Sequence, residues 1–178
     1  MISLSKRILK AFYNRYLILR DPVRYARNVG VKLGSNVFFY GMTPGMFGSE
    51  PWLIRIGSNV HIVSGCNFVT HDGGVLILRN RFPDLEITKP ISIGSNVYIG
   101  INCTILPGVN IGDNVIIGAG SIVTKDIPSD SVAAGVPAKV IKSLDDYLAQ
   151  VQRNSLGYGH LSAADKEEAL RMYYPDWK

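Results

Sequence analysis

From Ile93 to Pro128 the chain divides into consecutive hexads: IGSNVY, IGINCT, ILPGVN, IGDNVI, IGAGSI and VTKDIP. Each opens on an aliphatic residue, namely Ile93, Ile99, Ile105, Ile111, Ile117 and Val123. Glycine takes the second position at Gly94, Gly100, Gly112 and Gly118. The fifth position holds a small or medium side chain: Val97, Cys103, Val109, Val115, Ser121 or Ile127. A strict period of six fits neither the helical period of about 3.6 nor the strand period of about 2. It is the signature of a parallel β-helix. Three short strands and three turns would close a coil of about 18 residues, with coils about 4.8 Å apart. The expected class is all-β, with the first and fifth positions facing the core and helices at both ends of the chain.

The ladder has earlier rungs. Leu33 to Phe38 (LGSNVF) is a clean hexad, and a second run starts at Ile56 with IGSNVH, IVSGCN and FVTHDG. Asn36, Asn59, Asn96 and Asn114 share the fourth position, where a left-handed turn residue is expected. Two excursions interrupt the pattern, over residues 40–53 and 74–92. Cys66 and Cys103 occupy equivalent fifth positions, close enough for a disulfide if their coils are neighbours; small buried side chains are the simpler reading. The β-helix domain is thus expected over 29–142.

Residues 1–28 form a basic amphipathic region. Ile8, Leu9, Phe12, Tyr13, Tyr16, Leu17 and Leu19 recur at helical spacing among Lys6, Arg7, Lys10 and Arg15, which predicts a helix from Ile2 to Arg20 that ends near Asp21-Pro22. Residues 1–32 carry eight Lys and Arg and one Asp, a balance of +7 in a chain whose net charge is +5, so the remainder is −2. Such a helix can cap the open first coil, lie on an anionic membrane, or do both. In the tail, 143–178, helical character is expected over 143–154 and again from an N-cap at Ser162 to about Tyr173. The chain shows neither a signal-peptide pattern nor an apolar run of about 20 residues, so a cytoplasmic location is expected.

The third hexad of the second run fails at His71 and Asp72, and Gly73-Gly74 follow. Ladders that break locally tend to do so at functional sites. His71 is therefore the foremost catalytic candidate. Asp72 could orient it or an acceptor hydroxyl, or could be a turn residue. His61 falls on an outward position and His160 in the tail loop, and both weigh less.

The segment GAGSIVTKDIPSDSVAAGVPAKVIK, with the ladder before it, resembles the hexapeptide-repeat acyltransferases, in particular the galactoside, maltose and nodulation-factor O-acetyltransferases. That resemblance implies a left-handed β-helix, a homotrimer, and acetyl-CoA lying along a groove between two β-helices. It places coenzyme contacts at Gly118, Ala119, Gly120, Thr124 and Lys125, and at Lys139 and Lys142 where the galactoside enzymes have arginines. One coil earlier it points to Gly100 and Ile101; Ile101 stands where the family has a serine. His71 would be the general base for direct transfer in a ternary complex, without an acyl-enzyme. No metal and no nucleic-acid partner are expected.

The predicted function is acetyl-CoA-dependent O-acetylation of a sugar or surface-polysaccharide precursor, in the cytoplasm or peripheral to the inner membrane. The alternatives are an antibiotic or amino-sugar N-acetyltransferase, a zinc protein like the γ-type carbonic anhydrases, and a non-catalytic scaffold. Three histidines with poor spacing weaken the zinc reading.

Overall fold

The computed structural model describes residues 4–177, so Ile2 and Ser3 of the predicted first helix lie outside the described residues. Two compact units are present, Met1–Leu144 and Asp145–Lys178.

The first unit is a parallel β-helix of three sheets. One sheet stacks β1 (Lys32–Leu33), β3 (Ile54–Ile56), β6 (Ile91–Ile93) and β9 (Asn110–Ile111). The second stacks β2 (Val37–Tyr40), β4 (Val60–Val63), β7 (Val97–Ile99) and β10 (Val115–Ile117), then β12 (Ser131–Gly135) and β13 (Ala138–Ser143). The third stacks β5 (Asn67–Phe68), β8 (Thr104–Ile105) and β11 (Ile122–Val123). Every pairing is parallel except β12 with β13, which folds back antiparallel and closes the ladder.

Register explains the hexads. Ile56 pairs with Ile93 and Ile93 with Ile111, Val60 with Val97 and Val97 with Val115, so like residues stack in columns. These columns are the core, and Ile62, Ile99 and Ile117 are fully buried in it. At the turns Asn36, Asn59, Asn96 and Asn114 all have φ between 53° and 57°, the left-handed geometry expected of them. The side chains also form a ladder: Asn59 donates to Asn96, Asn96 to Asn114, and Asn114 to Asp130, each at 2.8 Å. The cysteines lie in adjacent coils as free, fully buried thiols. Cys66 donates to the Gly100 carbonyl and Cys103 to that of Gly118, both at 3.1 Å.

Helix α1 spans Leu4–Arg20, and α2 (Pro22–Val29) follows at once. The second helix starts where the sequence pattern predicts only a stop, at Asp21-Pro22. Asp21 is also an N-cap, accepting from the Arg24 amide at 3.0 Å, and Pro22 starts the new helix, where its missing N–H costs nothing. Gly30, at φ 114°, ends it. It is mainly α2 that covers the first coil, with Tyr25 and Ala26 buried in the core cluster; α1 adds Leu17 and, partly buried against the cluster, Ile18.

The excursion after β2 is more than an interruption of the pattern. Met46 and Phe47 are buried, Phe47 packs against Phe39 and Phe68, and the Phe68 amide donates to the Met46 carbonyl at 2.8 Å. Without hexad periodicity, the segment still supplies core to the third side of the first coil.

The second unit contains the helical tail. Helix α3 runs from Leu144 to Asn154 with Asp145 and Asp146 in its first turn, where acidic charge complements the helix dipole. Helix α4 is Ala163–Tyr173, capped by Ser162 as predicted. Among the described residues no helix is long and apolar enough to cross a membrane.

Candidate active site

Where β5 ends, the ladder continues for one more contact, the Val69 amide to the Ile105 carbonyl at 2.9 Å. Thr70 is then fully buried and the chain turns outward. The returning limb of the second excursion clamps this point. Lys89 N–H donates to the Thr70 carbonyl at 2.8 Å, Asp72 N–H donates to the Ile87 carbonyl at 2.9 Å, and His71 bridges Thr88. The backbone of His71 is therefore held from both sides, although it sits at a break in the repeat.

Asp72 starts a 3₁₀ turn over Gly73–Leu78, and its Oδ1 accepts the Gly74 amide at 2.9 Å. Of the two roles open to Asp72, the geometry supports the turn residue. The carboxylate beside His71 belongs instead to Glu50. Its Oε2 is 2.9 Å from His71 Nδ1 and accepts Thr70 Oγ1 at 2.6 Å. Those hydrogen bonds, from Thr70 first and His71 second, hold the Glu50 carboxyl below its ordinary range. A carboxylate only accepts, so Nδ1 carries a proton, and in the neutral ring the lone pair then lies on Nε2. The carboxylate thus fixes the orientation of the ring.

Glu50 carried no repeat signal and was missed. Its position depends on the buried Met46–Phe47 anchor and on Gly48, whose φ is 60° and where a Cβ would lie 3.2 Å from the Phe68 carbonyl oxygen. The only sequence hint is an acid beside Pro51 at the end of the excursion.

His71 stands between two clefts. The smaller, about 240 Å³, is lined by Ser49, Glu50, Asp72, Leu76 and Arg79 as well as His71. Arg79 is itself held by an ion pair to Glu86. The larger, about 510 Å³, joins His71 and Asp72 to Val69, Lys89, Leu106 and Thr124. Thr124 is thus the one coenzyme candidate that shares a cleft with the histidine. Lys125 is exposed next to it.

The other coenzyme candidates line neither His71 cleft. Gly100 and Ile101 stack on Gly118, Ala119 and Gly120, with the Gly120 amide donating to the Ile101 carbonyl at 2.7 Å. A Cβ on Gly100 would lie 2.6 Å from the Ala119 nitrogen, and one on Gly118 2.9 Å from Ala134 Cβ. Those two glycines answer first to coil stacking. Gly120 faces open space. Lys139 and Lys142 lie on β13, opposite Ala134 and Val132.

His61 projects from β4 among aromatic rings, stacked on Phe38 with centroids 4.9 Å apart and 2.9 Å from the Tyr40 hydroxyl through Nδ1. Among the described residues no three His, Cys, Asp or Glu side chains cluster as a metal ion would require.

Comparison with known proteins agrees with this architecture. Residues 90–125 match the family described as "Bacterial transferase hexapeptide (six repeats)". Over 129 residues the chain is 50% identical to Protein CapG of Staphylococcus aureus, covering 72% of this chain and 75% of CapG. Over 129 residues it is 65% identical to the galactoside O-acetyltransferase of Escherichia coli strain K12, covering 72% of this chain and 61% of that enzyme. Among solved structures, the maltose O-acetyltransferase of Clostridium difficile 630 aligns with a TM-score of 0.51 and 29% identity, over 79% of this chain and 87% of that one. The chain belongs to the bacterial hexapeptide transferases. Its relatives there include enzymes named as O-acetyltransferases, and it is an acyltransferase of that family.

Proposed function

We propose that this chain is an acetyl-CoA-dependent O-acetyltransferase of a sugar or surface-polysaccharide precursor, with residues 29–142 forming the catalytic domain on a left-handed β-helix. One observation carries the reading: Glu50 orients His71 at a cleft that also contains Thr124. His71 Nε2 takes the proton of the acceptor hydroxyl as that oxygen attacks the thioester carbonyl. The tetrahedral intermediate then collapses, the C–S bond breaks, and the imidazolium returns its proton to the departing coenzyme thiolate. Glu50 is a positioning residue, and its negative charge stabilises the imidazolium that forms. Both cysteines are fully buried, which favours direct transfer over an acyl-enzyme.

In this reading Thr124 and Lys125 flank the path of the pantetheine arm, and Lys139 and Lys142 supply cationic charge for coenzyme phosphates. The named galactoside and maltose enzymes support a sugar hydroxyl as acceptor, and by likeness to that family the working form is a cytoplasmic homotrimer. Thiol release from acetyl-CoA, measured across neutral sugars, amino sugars and chloramphenicol, tests the reading. We expect release with a neutral sugar and its loss in a folded His71→Ala variant. Release with an amine acceptor alone would replace O-acetylation by N-acetylation, and full activity in His71→Ala would remove the mechanism.

A further inference from the structure

Helix α1 presents two faces that differ in what they meet. Asn14, Leu17 and Ile18 turn towards the protein; Leu17 is buried, and Asn14 and Ile18 are half-buried. Ile8, Leu9, Phe12, Tyr13, Tyr16 and Leu19 are all exposed, Leu9, Phe12 and Leu19 by 68%, 70% and 78%. At about 100° per residue, those six fall in an arc of about 140° whose centre lies about 165° from that of the packed stripe. Most of this apolar face therefore points away from the body of the unit, and only its Phe12 edge also borders a cleft against Tyr25 and Pro44.

Charge borders this face. On the same helical wheel Arg15 lies just outside one edge of the arc and Arg20 just inside the other, while Lys10 sits about 60° beyond that second edge, and all are exposed. The sequence of α1 contains no acidic residue, and among the described residues no carboxylate pairs with these three cations. Of the chain's charge, residues 1–32 hold +7 and the remainder −2. A second copy stacked helix on helix would set cation against cation. An anionic bilayer surface complements both features, since its headgroups meet the basic flanks and its acyl boundary accepts Leu9, Phe12 and Leu19.

We infer that α1 is an interfacial anchor that lies in the plane of an anionic lipid surface and holds the β-helix against it. Over its described residues it is not long and apolar enough to cross a bilayer. The inference is independent of acetyl transfer and of His71.

Co-sedimentation of the full chain with phospholipid vesicles tests it, using neutral phosphatidylcholine alone and with about 30 mol% phosphatidylglycerol. We expect binding at least about tenfold stronger to the anionic vesicles, weakened by salt. Leu9→Glu/Phe12→Glu abolishes binding, while Arg15→Gln/Arg20→Gln weakens it on anionic vesicles only. Circular dichroism and an unchanged thermal midpoint show that both variants fold, since all four side chains are exposed. Equal binding of the wild-type chain to both vesicles, no binding to either, or undiminished binding of Leu9→Glu/Phe12→Glu would overturn the inference. So would a fall in oligomer mass for Leu9→Glu/Phe12→Glu in sedimentation velocity, which would show that another copy covers this face.

Discussion

His71 Nδ1 and Glu50 Oε2 lie 2.9 Å apart although 21 residues separate them in the chain. The histidine comes from a break in the ladder, the glutamate from an excursion one coil earlier. Neither position is dictated by the hexad repeat. Both are placed by what the interruptions bury or pair with: Met46 and Phe47 for Glu50, the returning Ile87–Lys89 limb for His71.

This pairing makes a kinetic prediction. His71→Ala lowers acetyl transfer by about 10²- to 10⁴-fold, the usual range for removing a general base. Glu50→Gln costs less, on the order of tenfold, and the loss falls on kcat while KM for acetyl-CoA stays near the wild-type value. A KM effect of the same size with kcat unchanged would show that Glu50 shapes binding and does not position the base.

Glu50 also predicts an acid dependence of stability. Because its carboxyl is held below the ordinary range, the folded chain binds its proton less readily than the unfolded chain does. Its contribution is present in full above the unfolded value of about 4.3 and is lost as pH falls through the lower folded value. The urea midpoint of Glu50→Gln should therefore fall less steeply below that value than the wild-type midpoint does. Parallel curves would contradict the hydrogen-bond pattern around this carboxylate.

The asparagine ladder can be tested at Asn96, which has φ 57° and hydrogen bonds to Asn59 and Asn114. Asn96→Ala forces a side chain with Cβ but no amide into a left-handed turn and breaks two rungs, a cost of about 2 kcal/mol. Asn96→Gly keeps the turn and loses only the rungs, about 1 kcal/mol. Denaturant unfolding of the two variants should rank them in that order.

The thiols are expected to be inert. Contact between the two sulfurs pushes the Cys66 thiol up and lowers that of Cys103, but both sulfurs are fully buried, so access and not ionisation decides. Neither cysteine should react with a disulfide reagent in the native protein at mildly alkaline pH, and both should react in denaturant. Fast labelling of the native chain would mean that the coils open locally.

Much of the fold was legible because a β-helix repeats one packing rule. Ile93, Val97, Ile99 and their equivalents must face inward on every coil, and the asparagines must turn the corners, so periodicity alone located strands, core and turns. His71 was legible for the converse reason, as the residue at which that rule fails. Glu50, the second helix at Pro22 and the buried Met46–Phe47 plug were not, because each depends on contacts between segments that no local pattern records. Gly118 shows the same division. Its presence in the hexad was plain, but only the tertiary structure shows it making room for Ala134 of the next coil. By itself, then, the sequence determined the repeating scaffold and the point where it breaks. Which carboxylate meets His71, and which face of α1 is left exposed, was decided by packing, since hydrophobic burial is non-directional and resolves only when distant segments compete for the same space.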